Sequence, residues 1–108
     1  MIVVMFRSRF SEHVDEEYGA TEERLAKKVR ELAGPDLVQV KNYQAEDGER
    51  LALVWWRDPA TLDRWRNDEE HQAAQRLGKE LWYSFYELSV TEVIRTSSSE
   101  DESAYPAA

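Results

Sequence analysis

Three features of this 108-residue chain predict an α+β domain in the order β-α-β-β-α-β, with an antiparallel sheet. Apolar residues alternate over positions 2–10, recur at helical spacing through the next stretch, and then return to strand spacing. An Asp-Gly pair at positions 47–48 joins two strand-like runs closely enough to make a hairpin. All four tryptophans and one of the two histidines lie between Trp55 and Tyr83, where Asp58-Pro59, Asn67-Asp68 and Gly78 mark out two short helices. Indole rings offer wide apolar faces at little entropic cost, so this density means a demanding core or an aromatic pocket. The arrangement is ferredoxin-like, with its second helical connection broken in two.

In the first strand, residues 2–10, Ile2, Val4, Phe6 and Phe10 share one face, and Val3, Met5, Arg7 and Arg9 the other. Ser11 is the expected cap of the first helix, and Glu12, Asp15, Glu16 and Glu17 suit its positive amino end. The buried stripe of that helix is Tyr18, Leu25, Val29 and Leu32, with Ala26 and Ala33 at its margins, and Gly34-Pro35 stops it. Leu37 to Gln44 is the second strand, and Arg50 to Trp56 the third, apolar without alternation. Asp58 caps a helix that turns Leu62 and Trp65 inward. Asn67 or Asp68 caps the next helix, with Ala73, Ala74 and Leu77 inside it; Gly78 ends that helix or allows a close backbone approach. The last strand is expected over Leu81 to Arg95, with Trp82, Tyr86, Leu88, Val90 and Ile94 on one side and Tyr83, Phe85 and Val93 on the other. The domain therefore spans residues 1–95, and the small, acidic, proline-bearing residues 96–108 read as a flexible tail.

There are 22 acidic residues against 14 basic ones, a net charge of −8, and the chain remains acidic without the tail's Glu100, Asp101 and Glu102. Such a balance argues against nucleic acid as a partner, because a phosphate backbone calls for a basic stripe. Cysteine is absent, which removes disulfides, thiol nucleophiles and thiolate metal sites. The amino-terminal apolar run is too short for a signal sequence or membrane span, so a cytoplasmic protein with no membrane partner is expected. Helices cover one face of this sheet, yet strands three and four are apolar on both. A second copy is the expected cover, giving a homodimer built sheet to sheet.

His71, Gln75 and Gly78 share one helix face. A histidine there, near Trp65, could hydrogen-bond a phenol or quinone oxygen or move a proton near neutral pH; the plainer alternative is a half-exposed His71 bonding Asn67 or Asp68. Trp65 is either a flat wall for a planar substrate or an ordinary core residue. Trp55 and Trp56 point to opposite faces, as do Trp82 and Tyr83, so one of each pair can line a given cavity. Asn42 and Tyr43 are polar-pocket candidates, while Arg7 and Arg9 are expected to pair with nearby carboxylates. The spacing of His13 and His71 gives no metal site, and no phosphate loop, dinucleotide fingerprint or Ser-His-Asp arrangement occurs.

Gly34-Pro35-Asp36-Leu37, Ala45 to Arg50, Trp65 to His71 with Ala74-Gln75 and Gly78, and Trp82-Tyr83 with Tyr86 resemble the antibiotic biosynthesis monooxygenase (ABM) domain family over residues 1–95. The resemblance implies a dimeric α+β barrel of ferredoxin-like subunits. It further implies a cofactor-independent, monooxygenase-like protein acting on a small planar aromatic, quinone or polyphenol. The alternative is a non-catalytic small-ligand-binding or stress-associated dimer of the same fold. Trp65 and His71 are the expected catalytic pair, the first matching the family's helix tryptophan; Asn42, Gln75, Ser8 and Tyr83 are the expected substrate contacts. Haem-degrading relatives carry an asparagine on the first strand and a histidine ligand further along the helix. Those places hold Ser8 and Gln75 here, so no haem, metal or other cofactor is expected.

Overall fold

The computed structural model describes residues 1–100, so residues 101–108 of the expected 96–108 tail lie outside the described residues. Four antiparallel strands, β1 (Ile2–Phe10), β2 (Leu37–Gln44), β3 (Arg50–Trp56) and β4 (Tyr83–Glu92), form one open sheet in the order β2-β3-β1-β4. Helices α1 (Glu16–Ala33), α2 (Pro59–Arg66) and α3 (Glu69–Leu77) complete the ferredoxin-like order. The described residues form a sheet and not a closed barrel.

Local chemistry sets the boundaries. The cap of α1 is Asp15, whose carboxylate accepts from the Glu17 backbone N–H, and not the expected Ser11. Ser11 has a different task, because its hydroxyl donates to the Leu81 carbonyl and accepts from the His13 N–H. Gly34 ends α1 at φ 54°, where any side chain would be strained, and opens a short 3₁₀ turn through Asp36. Asp58 caps α2 and Asp68 caps α3, as two of the expected cap positions require. Lys28 of α1 reaches Asp68 at 3.0 Å and Glu70 at 3.2 Å, tying the first helix to the start of the third.

The helix-covered face carries Ile2, Val4, Phe6 and Ser8 from β1 opposite Trp56, Val54, Ala52 and Arg50 from β3. At one end Trp56, 1% exposed, packs with Val4, Leu25, Ala33 and Trp65. Its indole N–H finds no acceptor among the described residues, so the core uses this side chain for volume and not for its polar edge. The opposite face presents Val3, Met5, Leu51, Leu53 and Trp55 without helical cover. Around them Arg7 pairs with Glu49 and Glu87, and Arg9 with Asp47, as expected for these arginines.

The last strand departs from expectation at its start. Gly78–Trp82 form a wide five-residue turn, so β4 begins at Tyr83 and its paired length ends at Glu92, shorter than Leu81 to Arg95. Trp82 therefore does not alternate with Tyr83, and both rings pack against Tyr18. A register shift where β4 meets Arg9 and Phe10 moves Tyr83 to the helix side, with Phe6 and Phe10, while Phe85 faces Arg7 on the other. A bulge adds one residue to a strand and so inverts the alternation on either side of it. Tyr86, Leu88 and Val90 lie on the helix side of this edge strand but are exposed.

Gly78 is needed for the close approach of Tyr83. A methyl at that position would lie 2.7 Å from Tyr83 Cε2 and 3.1 Å from Cδ2. Relieving that overlap should cost about 1–3 kcal/mol, against the ~1 kcal/mol that alanine gains over glycine in a helical conformation. Gly78→Ala is expected to be net destabilising in urea unfolding, and equal or greater stability would show the ring free to move aside.

Candidate functional site

Side-chain volume falls along the helix-covered face. On β3 the row from Trp56 and Val54 drops to Ala52 before Arg50, and its neighbour on β1 drops from Phe6 to Ser8. At the small-residue end α1 and the sheet leave a cleft of about 80 Å³, lined by Phe6, Ser8, Tyr18, Glu22, Asn42, Arg50 and Tyr83, with Tyr43, Leu51 and Ala52. One water needs about 10–15 Å³ of such space, so the cleft holds roughly five to eight water-sized groups. That suits one six-membered ring and a substituent or two. It is far below the roughly 300–1,000 Å³ of a drug-sized ligand site.

Three of the expected substrate contacts, Ser8, Asn42 and Tyr83, meet in this cleft from three different strands. Ser8 is 5% exposed, and Asn42 belongs to the edge strand β2. Phe6, Tyr18 and Tyr83 form an aromatic wall, with Tyr83 edge-on to Phe6 at 5.3 Å between ring centres. The charged pair facing the cleft was not among the expected residues. Glu22 stands one helical turn beyond Tyr18 on α1, and that i, i+4 spacing was the available signal. Arg50 pairs in register with Ser8, which is visible only once β1 and β3 are aligned.

Desolvation governs the ionisation of this cluster. Partial desolvation raises the pKa of Glu22, a residue that stays exposed at its outer side, with Arg50 opposing. Burial also raises Tyr18, helped by the negative charge of Glu22 and opposed by Arg50. Tyr83 is raised strongly by burial, then by Tyr18 and Glu22. Both phenols therefore stay protonated, and Glu22 takes up a proton more readily than an ordinary carboxylate. The guanidinium of Arg50 lies 4.3 Å from the centre of the Phe10 ring and 5.9 Å from that of Tyr18, held over aromatic faces. Among the described residues no group of three or more His, Cys, Asp and Glu is placed to hold a metal ion. None of their helices is long and apolar enough to cross a membrane.

Trp65, His71 and Gln75 are not among the residues lining this cleft. Trp65 joins Val4, Trp56 and Ala33 in the core at the large-residue end. The His71 ring stacks on it, with centres 4.3 Å apart and planes 16° from parallel. His71 Nδ1 lies 3.1 Å from the Trp65 carbonyl oxygen, which can only accept, so the proton of the neutral ring belongs on Nδ1 and Nε2 keeps its lone pair. The backbone N–H of His71 donates to Asp68, one of the two partners expected for a structural His71. Gln75 is half-buried on α3.

Burial lowers the pKa of His71, with the Trp65 carbonyl and Asp68 opposing. A depressed histidine binds its proton less tightly folded than unfolded, so its stabilising effect is complete above the ordinary value of 6.5 and fades as pH falls below it. Thermal unfolding between pH 8 and pH 5 should therefore show a steeper acid loss for the wild type than for His71→Gln. Parallel curves would mean that the ring is as hydrated folded as unfolded.

The sequence matches the family model described as antibiotic biosynthesis monooxygenase over residues 1–77. It is 33% identical over 92 residues to uncharacterized protein YqjZ of Bacillus subtilis (strain 168), covering 85% of this chain and 78% of that protein. Among solved structures it is similar to Rv0793 from Mycobacterium tuberculosis, with a TM-score of 0.70 at 17% identity, covering 90% of this chain and 98% of the other. It is also similar to SnoaB, a cofactor-independent oxygenase from Streptomyces nogalater, with a TM-score of 0.67 at 13% identity, covering 88% and 94%. At such identities the two structures speak for the fold, while the sequence match speaks for descent: the chain belongs to the antibiotic biosynthesis monooxygenase family.

Proposed function

We propose that this protein is a cofactor-independent, monooxygenase-like enzyme whose substrate is a small planar phenol or quinol. The observation that carries the reading is the cleft itself: an aromatic wall of Phe6, Tyr18 and Tyr83 facing the polar groups of Ser8 and Asn42, sized for one ring. A flat substrate packs on the wall, and Ser8, Asn42 and the protonated Tyr83 hydroxyl hold its oxygens. A hydroquinone can then supply every electron the reaction needs. Its ionised form is electron-rich at a ring carbon, where dioxygen adds. Cleavage of the resulting O–O bond leaves one oxygen on the ring and releases the other as water, so hydroquinone and dioxygen give hydroxyquinone and water. Excluding bulk water from such a site protects the reactive carbanion from simple reprotonation.

Trp65 and His71 enter this proposal as a second site element, with Nε2 of His71 as the proton acceptor for a substrate that extends beyond the cleft, and Gln75 one turn further along the same helix. Oxygen uptake with a panel of hydroquinones tests both assignments. The wild type should consume oxygen, Tyr83→Phe should be slower by about tenfold or more, and His71→Ala should be slowed only with the larger members of the panel. Binding without uptake across the panel would favour the small-ligand-binding alternative.

The assembly we propose is a homodimer. Met5, Leu51, Leu53 and Trp55 make an apolar patch on the helix-free face, ringed by the Arg7 and Arg9 ion pairs, and a second copy covers like with like. Sedimentation at micromolar concentration should give twice the chain mass of 12.7 kDa, and Leu53→Asp should shift it to the monomer. A wild-type monomer would end this assignment.

A further inference from the structure

We propose that Glu22 is the proton acceptor of the cleft and that Arg50 holds the anion so formed, so the site takes single-ring phenols that bind neutral and are ionised in place. The proposal rests on the monooxygenase-like reading for the oxidation that follows, but the proton transfer needs no oxygen. In that step the phenol O–H bond breaks and the proton joins a carboxylate oxygen of Glu22. The electron pair stays on the phenolate oxygen, beside the guanidinium of Arg50.

The two charged groups reach the same space from different layers, Glu22 from α1 and Arg50 from the first position of β3. Arg50 is located by aromatic faces, 4.3 Å from the Phe10 centroid, and needs no carboxylate to stay in place. Among the described residues neither Glu22 nor Arg50 closes an ion pair within 4.0 Å, although seven such contacts form elsewhere. Other arginines of this acidic chain, Arg7 and Arg9, do find carboxylate partners. A carboxylate and a guanidinium that line one cleft without pairing leave room for a group that donates to one and accepts from the other. A neutral phenol hydroxyl does both.

The titratable and charged groups facing Glu22 are Tyr18 on its own helix, Arg50 on β3 and Tyr83 on β4. An ordinary glutamate lies about six pK units below a phenol, too far for efficient transfer. Partial desolvation of Glu22 and the guanidinium beside the phenol both narrow that gap, from opposite sides. Tyr18 and Tyr83 do not compete for the proton, because each holds its own.

The test is a titration with 4-nitrophenol, a single-ring phenol whose phenolate absorbs at longer wavelength than the neutral form. Proton release is followed in weakly buffered solution, at a pH where the free ligand is mostly neutral. Wild type should show the phenolate band on binding with almost no proton reaching solvent. Glu22→Gln should bind the ligand neutral or release one proton per phenolate formed, while Glu22→Asp keeps the solvent-neutral exchange at weaker affinity. Arg50→Gln should lose the phenolate band. A wild type that binds the neutral phenol, releases a full proton per phenolate, or does not bind at all overturns the proposal. Circular dichroism establishes that each variant is folded. In the oxygen assay Glu22→Gln should lower kcat by about 10²–10⁴-fold with little change in KM, and the acid limb of the wild-type pH profile should disappear. Absence of oxygen uptake by wild type would defeat the monooxygenase-like reading alone, since the nitrophenol titration decides the proton acceptor without it.

Discussion

The distance between α1 and the sheet is set by Trp56, and nearly everything else depends on that spacing. An indole buried at one end of the interface holds the two layers apart by its own bulk. At the other end the same spacing meets Ala52 and Ser8, which are too small to fill it. Interiors are otherwise packed to crystal-like density, so a gap at one end of a well-packed layer is stable only if the packed end supplies the stability. Core and cleft are two ends of one wedge. Trp65 belongs to the thick end, and His71 stacks on it there, so neither lines the cleft.

The thin end concentrates groups that are costly to desolvate. Glu22, Tyr18, Tyr83 and Arg50 share the cleft, where the Glu22 carboxylate raises the proton affinity of both phenols and the Arg50 guanidinium opposes all three shifts. Groups with proton affinities displaced by burial and a specific charged neighbour, meeting in a cleft, are a common mark of a working site. The same displacement is a weakness for the fold. A carboxyl with a raised pKa favours the folded state most when protonated, and that advantage fades as pH rises through the gap between its unfolded and folded values.

Periodicity made the four strands legible, and turn chemistry made their order legible. Asp47-Gly48 closes the β2–β3 hairpin with Gly48 at φ 90°, and Gly34-Pro35, Asp58 and Asp68 mark helix ends where the sequence indicated. Misreadings came from competition between equally good local signals. Ser11 and Asp15 are both sound caps, and the hydroxyl was claimed instead by the Leu81 carbonyl, seventy residues away. Strict alternation from Leu81 onward assigned Tyr83 to the wrong face, because a bulge leaves no mark in a two-residue period. Of the candidate residues, Ser8, Asn42 and Tyr83 converge because they lie on the helix-covered side of three strands of the one sheet. Glu22 and Arg50 were missed for the opposite reason. In a chain one-third charged, single charged residues look like solvated surface until the register brings two of them together.

That bulge has a further consequence for how the cleft can change over time. Tyr83 reaches the cavity because Ser84 is carried in the bulge and not through a strict alternation, so the cleft depends on the pairing register there as much as on residue identity. Deleting Ser84 would leave Tyr83 opposite Phe10 and aimed inward. Losing the bulge while keeping Ser84 would set Ser84 opposite Phe10 and turn the Tyr83 ring to the helix-free face, replacing the lining in a single step. The same backbone can therefore line chemically unlike cavities, separated by one bulge at the start of the last strand.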